Sequence, residues 1–260
     1  GPAFVAYDAG NRWVWVSDTY DGSVRAYDIN RSTRVVLAGM SEPVALAIDS
    51  TRDEIWICDQ ARDAVYHYTL AGQVRSPSSL EPINTPIGIA VDPTDGSVWV
   101  CERGADRVRH YQRSGTPDGA VAVAAPSRVA VDSVARDAWV TSFESGRVVR
   151  ISPGVVAQDT IGLSGPIGIA IDHRRGRIWV ADARANQVVA LRRSGLVEFR
   201  VSGLTRVRDV TVNIDTGECW ATVPGDGSVV RIGPTGVMLE RATGFRDPYG
   251  IPVAPASQLR

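Results

Sequence analysis

Four acidic residues, Asp18, Asp59, Glu102 and Asp182, each stand three positions after a tryptophan. Carboxylates recurring at one structural position can gather their oxygens around a hard cation, and calcium is the ion such a set suits. Ser142 and Val223 break the series, and loop bonding with solvation is the competing role for it. A second group mixes charge with aromatic rings. Arg128, Arg208 and Asp209 stand where matching stretches hold small or apolar residues such as Ala45, Gly88 and Gly168, and Arg103, Phe143, Glu144, Arg184 and Tyr249 fall on the same predicted face. Together they describe an arginine-bearing surface for a polar or anionic partner. Histidine chemistry is scarce: only His67, His110 and His173 occur, and no Glu-x-His pair. By their positions the three do not converge on one metal. Cys58 and Cys101 occupy equivalent positions in neighbouring copies of a repeat, too far apart for a disulfide if each copy is a separate stacked sheet. Cys219 reads as a small buried hydrophobe.

These residues are positioned by a pattern that runs the length of the chain. Pro-x-Gly-Ile-Ala-Val-Asp, a short polar turn and a Trp-centred apolar segment recur, most clearly as PIGIAVDPTDGSVWV from Pro86 and PIGIAIDHRRGRIWV from Pro166. The copies divide the 260 residues into 2–42, 43–85, 86–125, 126–165, 166–206 and 207–247, and 248–260 restarts the pattern as a closing strand or a truncated repeat. From Asp8, Asp49, Asp92, Asp132, Asp172 and Asn213 it is always seven residues to a Trp, and nine more to a Val. Two spacings kept in all six copies mark one repeated supersecondary unit.

Each unit reads as strand, turn, strand, loop, strand and a looser fourth strand, because its segments are short, β-branched and bounded by Gly, Asp and Pro. The strands are almost continuously apolar, so both faces of each sheet are covered. A period near forty residues with regular terminal copies predicts a closed ring: an all-β, six-bladed β-propeller of four-stranded antiparallel blades forming one domain. One Trp per blade is expected between blades as core, with the additional Trp13 partly exposed. The Asp ending each first strand is expected to bond the turn that follows.

The stretch PIGIAVDPTDGSVWVCERGADRVRHY, Pro86 to Tyr111, resembles the NHL repeat and the YVTN-like bacterial propellers, and the likeness extends over the whole chain. Streptogramin lyase-like and gluconolactonase-like propellers are similar too. The resemblance implies the six-bladed fold and a bacterial, periplasmic or extracellular setting, against which three unpaired cysteines weigh. It does not choose a function, since one fold hosts many. Streptogramin lyases depend on His and Glu near a metal, and those residues lack counterparts here. The expectation is therefore a non-catalytic binding or scaffolding propeller, monomeric as a domain, presenting its loop face to a protein, peptide or glycan and needing no cofactor. The alternative is a metal-dependent lactonase-like hydrolase or lyase with a carboxylate-lined channel. With 28 basic and 29 acidic residues, a net charge of −1 argues against nucleic acid as partner, and no apolar run approaches a membrane span.

Overall fold

A computed structural model describes residues 2–80, 82–152, 155–160 and 162–252. Its strands form six separate four-stranded sheets, each built from four consecutive antiparallel strands. The innermost strands are Pro2–Asp8, Pro43–Asp49, Pro86–Val91, Pro126–Asp132, Pro166–Asp172 and Val210–Asn213, one per blade. Each packs on the next in chain order, and all six line a single central channel. The six-bladed ring expected from the repeats is the fold observed.

The repeated spacings acquire physical causes in the blades. Trp15, Trp56, Trp139 and Trp179 are fully buried and Trp99 nearly so, lying in the contacts between successive sheets. Trp220 of blade 6 and the additional Trp13 are half-buried. Directly opposite each Trp, on the third strand, stand Ala26, His67, His110, Arg150, Ala190 and Arg231. His67 stacks on Trp56 with ring centroids 3.6 Å apart, and His110 tilts over Trp99 at 4.5 Å. These two histidines therefore pack on tryptophans, as Arg150 and Arg231 do over Trp139 and Trp220. At the far end of each first strand the Asp or Asn seven residues before the Trp bonds its turn: Asp8 accepts Gly10 N–H at 2.9 Å, Asp92 accepts Thr94 N–H at 2.8 Å, and Asn213 accepts Asp215 N–H at 3.0 Å.

Blade 1 is complete with its own N-terminal strand, so the ring needs no strand from the opposite terminus. Residues 244–252 adopt no strand. They instead run between the last and first blades, where a Cβ on Gly250 would lie 3.3 Å from Val5 N and 3.6 Å from an Asp209 carboxylate oxygen. The expected closing strand is thus a non-strand wedge as far as Pro252, and 253–260 lie outside the described residues. Among the described residues no helix is long and apolar enough to cross a membrane.

Candidate functional site

The acidic series is spread around the ring, and Asp59, Glu102 and Asp182 are committed to the blade linkers. Asp59, fully buried, accepts Ser41 and Glu42 N–H at 2.8 Å each, from the linker that leads into its own blade. Asp182 does the same for Ser164 and Gly165, the latter at 2.7 Å. Glu102 accepts Asn84 N–H at 3.1 Å and pairs with Arg107 at 2.7 Å and Arg109 at 2.9 Å. Asp18 bonds Tyr20 N–H at 2.9 Å. At the position where Ser142 breaks the series, its hydroxyl donates to Ala124 O in the equivalent linker. A metal of the kind the lyase and lactonase resemblances imply does not fit this donor set, because its oxygens are engaged one blade at a time. Among the described residues no three His, Cys, Asp or Glu side chains come together as ligands.

A staple of this kind makes a stability prediction. Asp182→Ala leaves two linker N–H groups without their charged acceptor and is expected to destabilise the fold by about 3 kcal/mol. Urea unfolding checks the loss, and a wild-type melting temperature that rises on adding calcium would contradict the staple role.

Polar groups converge instead at the channel mouth, where the segments enter the first strands. The third residue of each entering segment is Phe4, Ala45, Gly88, Arg128, Gly168 or Asp209, and of these Phe4, Ala45, Arg128 and Asp209 line the channel. The two charged members each follow a glycine in the preceding blade, for a steric reason. A Cβ on Gly88 would meet Ser127 O at 2.8 Å and Arg128 Cα at 3.1 Å, and one on Gly168 would meet Asp209 Cα at 2.6 Å. Only glycine lets the neighbouring backbone approach so closely. On the adjoining second strand both blades carry a threonine. Thr141 Oγ1 accepts Arg128 N–H at 3.1 Å and donates to Ile167 O at 2.7 Å, while Thr222 Oγ1 accepts Asp209 N–H at 3.0 Å.

Arg128 extends from blade 4 across the mouth to blade 1, where its guanidinium lies 4.7 Å from the centre of the Phe4 ring, and one of its N–H groups donates to Ile87 O at 3.1 Å. Asp209 Oδ1 accepts Val210 N–H at 3.0 Å, and its carboxylate also accepts Ile251 N–H from the closing wedge. Burial pushes the Asp209 carboxyl above the ordinary range, against the opposing pull of Arg128 and then Arg208. Burial likewise lowers Arg208, with the charge of Arg128 adding to the effect. Arg208 lies over Tyr249, its guanidinium carbon 3.6 Å from the ring centre. Across the mouth Arg184 covers Phe143 at 4.2 Å and pairs with Glu144 at 2.8 Å.

Two spaces result, with Arg128 lining both. A channel of about 320 Å³ has walls of mixed polarity, with Arg128 and Asp209 among the residues that line it. Above it opens a cavity of about 980 Å³ whose wall includes Arg103, Arg128, Phe143 and Glu144, with Arg184, Arg208 and Tyr249. Seven of the eight loop-face residues picked out by type and position line the cavity, and the eighth, Asp209, lines the channel together with Arg128, whereas Asp18, Asp59, Glu102 and Asp182 line neither space. Sequence reasoning missed Glu42, Asn186, Arg206 and Asp247 on the cavity wall, and the two threonines beneath. The threonines did leave a signal, since they occupy the position of Cys58, Cys101 and Ala181 in other blades. The thiols offer no nucleophile: burial raises all three, with the neighbouring Cys101 adding to the effect on Cys58.

The virginiamycin B lyase family model matches residues 1–260. The chain belongs to the virginiamycin B lyase family. No curated protein matches it. Among solved structures, the selenomethionine-substituted virginiamycin B lyase of Staphylococcus aureus superposes with a TM-score of 0.84 at 17% identity, over 98% of this chain and 89% of that one. A catalytically inactive histidine-to-alanine variant of the S. aureus enzyme with quinupristin gives 0.77 at 18% identity, over 94% and 84%. Hydrazine synthase of Kuenenia stuttgartiensis gives 0.83 at 12% identity, over 98% and 90%. At such identities the superpositions establish the fold alone. Membership of a lyase family overturns the expectation of a non-catalytic binding or scaffolding module and points to an enzyme. That expectation followed from missing histidine motifs.

Proposed function

We propose that this member of the virginiamycin B lyase family is an elimination enzyme that works at the channel mouth, with Asp209 taking the proton. The observation that carries the reading is a half-buried carboxyl on the channel wall whose pKa burial raises, with Arg128 on the same wall and Arg208 next to it in the chain. In the elimination proposed, a proton leaves a carbon beside a carbonyl, and the C–H electron pair becomes a C=C bond. The bond from the next carbon to the leaving group breaks, and that group departs with its electrons. No water is consumed. A carboxylate of raised pKa is a stronger base than an exposed one, and a guanidinium fixed beside it stabilises the negative charge that develops on the carbonyl oxygen.

The S. aureus relative is inactive when one histidine becomes alanine. Here His67, His110 and His173 all lie off the mouth: two pack on tryptophans, and the third sits in the turn after Asp172. The proton therefore passes to a carboxyl in this chain, and no step is assigned to a metal.

Product masses test the reaction class. Virginiamycin B and quinupristin, the compounds named with the relatives, serve as first probes within a panel of esters that carry a β-leaving group. Elimination yields products whose masses sum to that of the substrate, with new double-bond absorbance. A total heavier by one water would show a hydrolase and overturn the reading, as would failure to turn over any member of the panel.

A further inference from the structure

This inference concerns what the mouth recognises, and it rests on the mouth being the substrate site. Elsewhere in the molecule arginines pair with carboxylates even where they also cover rings, as Arg150 over Trp139 does with Asp137 and Arg231 over Trp220 with Glu218. At the mouth they lie on rings: Arg208 on Tyr249, Arg184 on Phe143 and Arg128 on Phe4, at 3.6, 4.2 and 4.7 Å. An aromatic face fixes the plane of a guanidinium and covers one side of it without cancelling its charge. Its N–H edge then remains available for two parallel hydrogen bonds to a planar oxyanion.

The charges on the cavity wall have the same sense. Arg103, Arg128, Arg184, Arg206 and Arg208 face Glu42, Glu144 and Asp247. Of these arginines only Arg184 has a carboxylate within bonding distance among the described residues, namely Glu144. Arg208 is partly removed from water, so a desolvated cation with no bonded counter-ion stands beside Asp209. The volume of about 980 Å³ is at the upper end of the range for drug-sized ligands.

The geometry points to a substrate that carries a carboxylate, gripped edge-on by Arg208 on its tyrosine support, with Arg128 at closer range to the reacting carbon. The class is an organic acid with an apolar arm, the arm entering the channel walled by Leu46, Ile89, Val129 and Ile169. Arg208 is thus a specificity-determining residue, and the acid group it holds is separate from the bond that breaks.

Binding without turnover tests this. N-benzoylglycine and its amide, identical except for the charge, are titrated calorimetrically into wild-type protein and into Arg208→Gln, with folding of the variant confirmed by thermal melting. The acid is expected to bind wild type at least about tenfold more tightly than the amide. That preference shrinks with added salt and is lost in Arg208→Gln. Equal affinity for acid and amide, no saturable binding of the acid, or an undiminished preference in the variant each overturns the inference while leaving the lyase reading untouched. An intact acid preference with no turnover of any ester would overturn the lyase reading alone.

Discussion

Asp209→Asn is expected to lower kcat by about 10²- to 10⁴-fold, the usual contribution of a positioned general base, while leaving the protein folded. Asparagine keeps an oxygen to accept the Val210 and Ile251 N–H groups but takes no proton. Stability is expected to move the other way. The carboxyl of Asp209 is raised in the folded chain by burial, so the folded state holds its proton more tightly than the unfolded one. Its contribution is fully present below the unfolded pKa and is lost as pH rises through the folded value. Above that value the ionised side chain costs stability, and Asp209→Asn should be as stable as wild type or more so. The advantage should shrink under acid conditions, where both side chains are neutral. Urea unfolding at acid and neutral pH, beside kcat for the same preparations, separates the two effects. A variant that lost activity only in proportion to lost folded protein would assign Asp209 to structure.

Arg128→Gln is the second large effect. Arg128 opposes the burial that raises Asp209 and is named before Arg208 among the influences lowering it. Removing its charge should raise the carboxyl further and move the acid limb of the pH–rate profile toward higher pH. It should also lower kcat by about 10²- to 10³-fold through loss of charge stabilisation at the developing oxyanion. An unshifted acid limb would show that the two groups do not share a site. Thr141 and Ile87 O hold the backbone and one N–H of Arg128, so glutamine at this position retains the backbone bond and perturbs mainly the charge.

The ring was legible because its cause is local. Each repeat must bury a Trp against the next sheet and close a turn with a short acid, and both demands leave fixed spacings in the chain. The mouth was half legible. Arg128 and Asp209 stood out as charges in positions that otherwise hold Phe, Ala or Gly, yet the repeat places a residue only within its own blade. That Arg128 crosses the ring to Phe4 depends on closure, as does the arrival of Ile251 at Asp209 from the far end of the chain. The acidic series misled because Asp59, Glu102 and Asp182 share a position in every blade they occupy, and a shared position serves the repeat. Each carboxylate bonds its own linker and cannot also meet its equivalents. Reactivity was hidden for a related reason. An aspartate written in a sequence carries no sign of its desolvation, which arises here from close glycine backbones at 168 and 250.

The central claim is that one carboxyl, made basic by burial and steadied by guanidinium groups, governs turnover. Its most direct test follows the side-chain carboxyl carbon of Asp209 by NMR across pH and compares that midpoint with the acid limb of kcat/KM. The account predicts that the two midpoints coincide above the ordinary carboxylate range and rise together in Arg128→Gln. A carboxyl that titrates in or below the ordinary range, or a rate profile that follows another group, would contradict it.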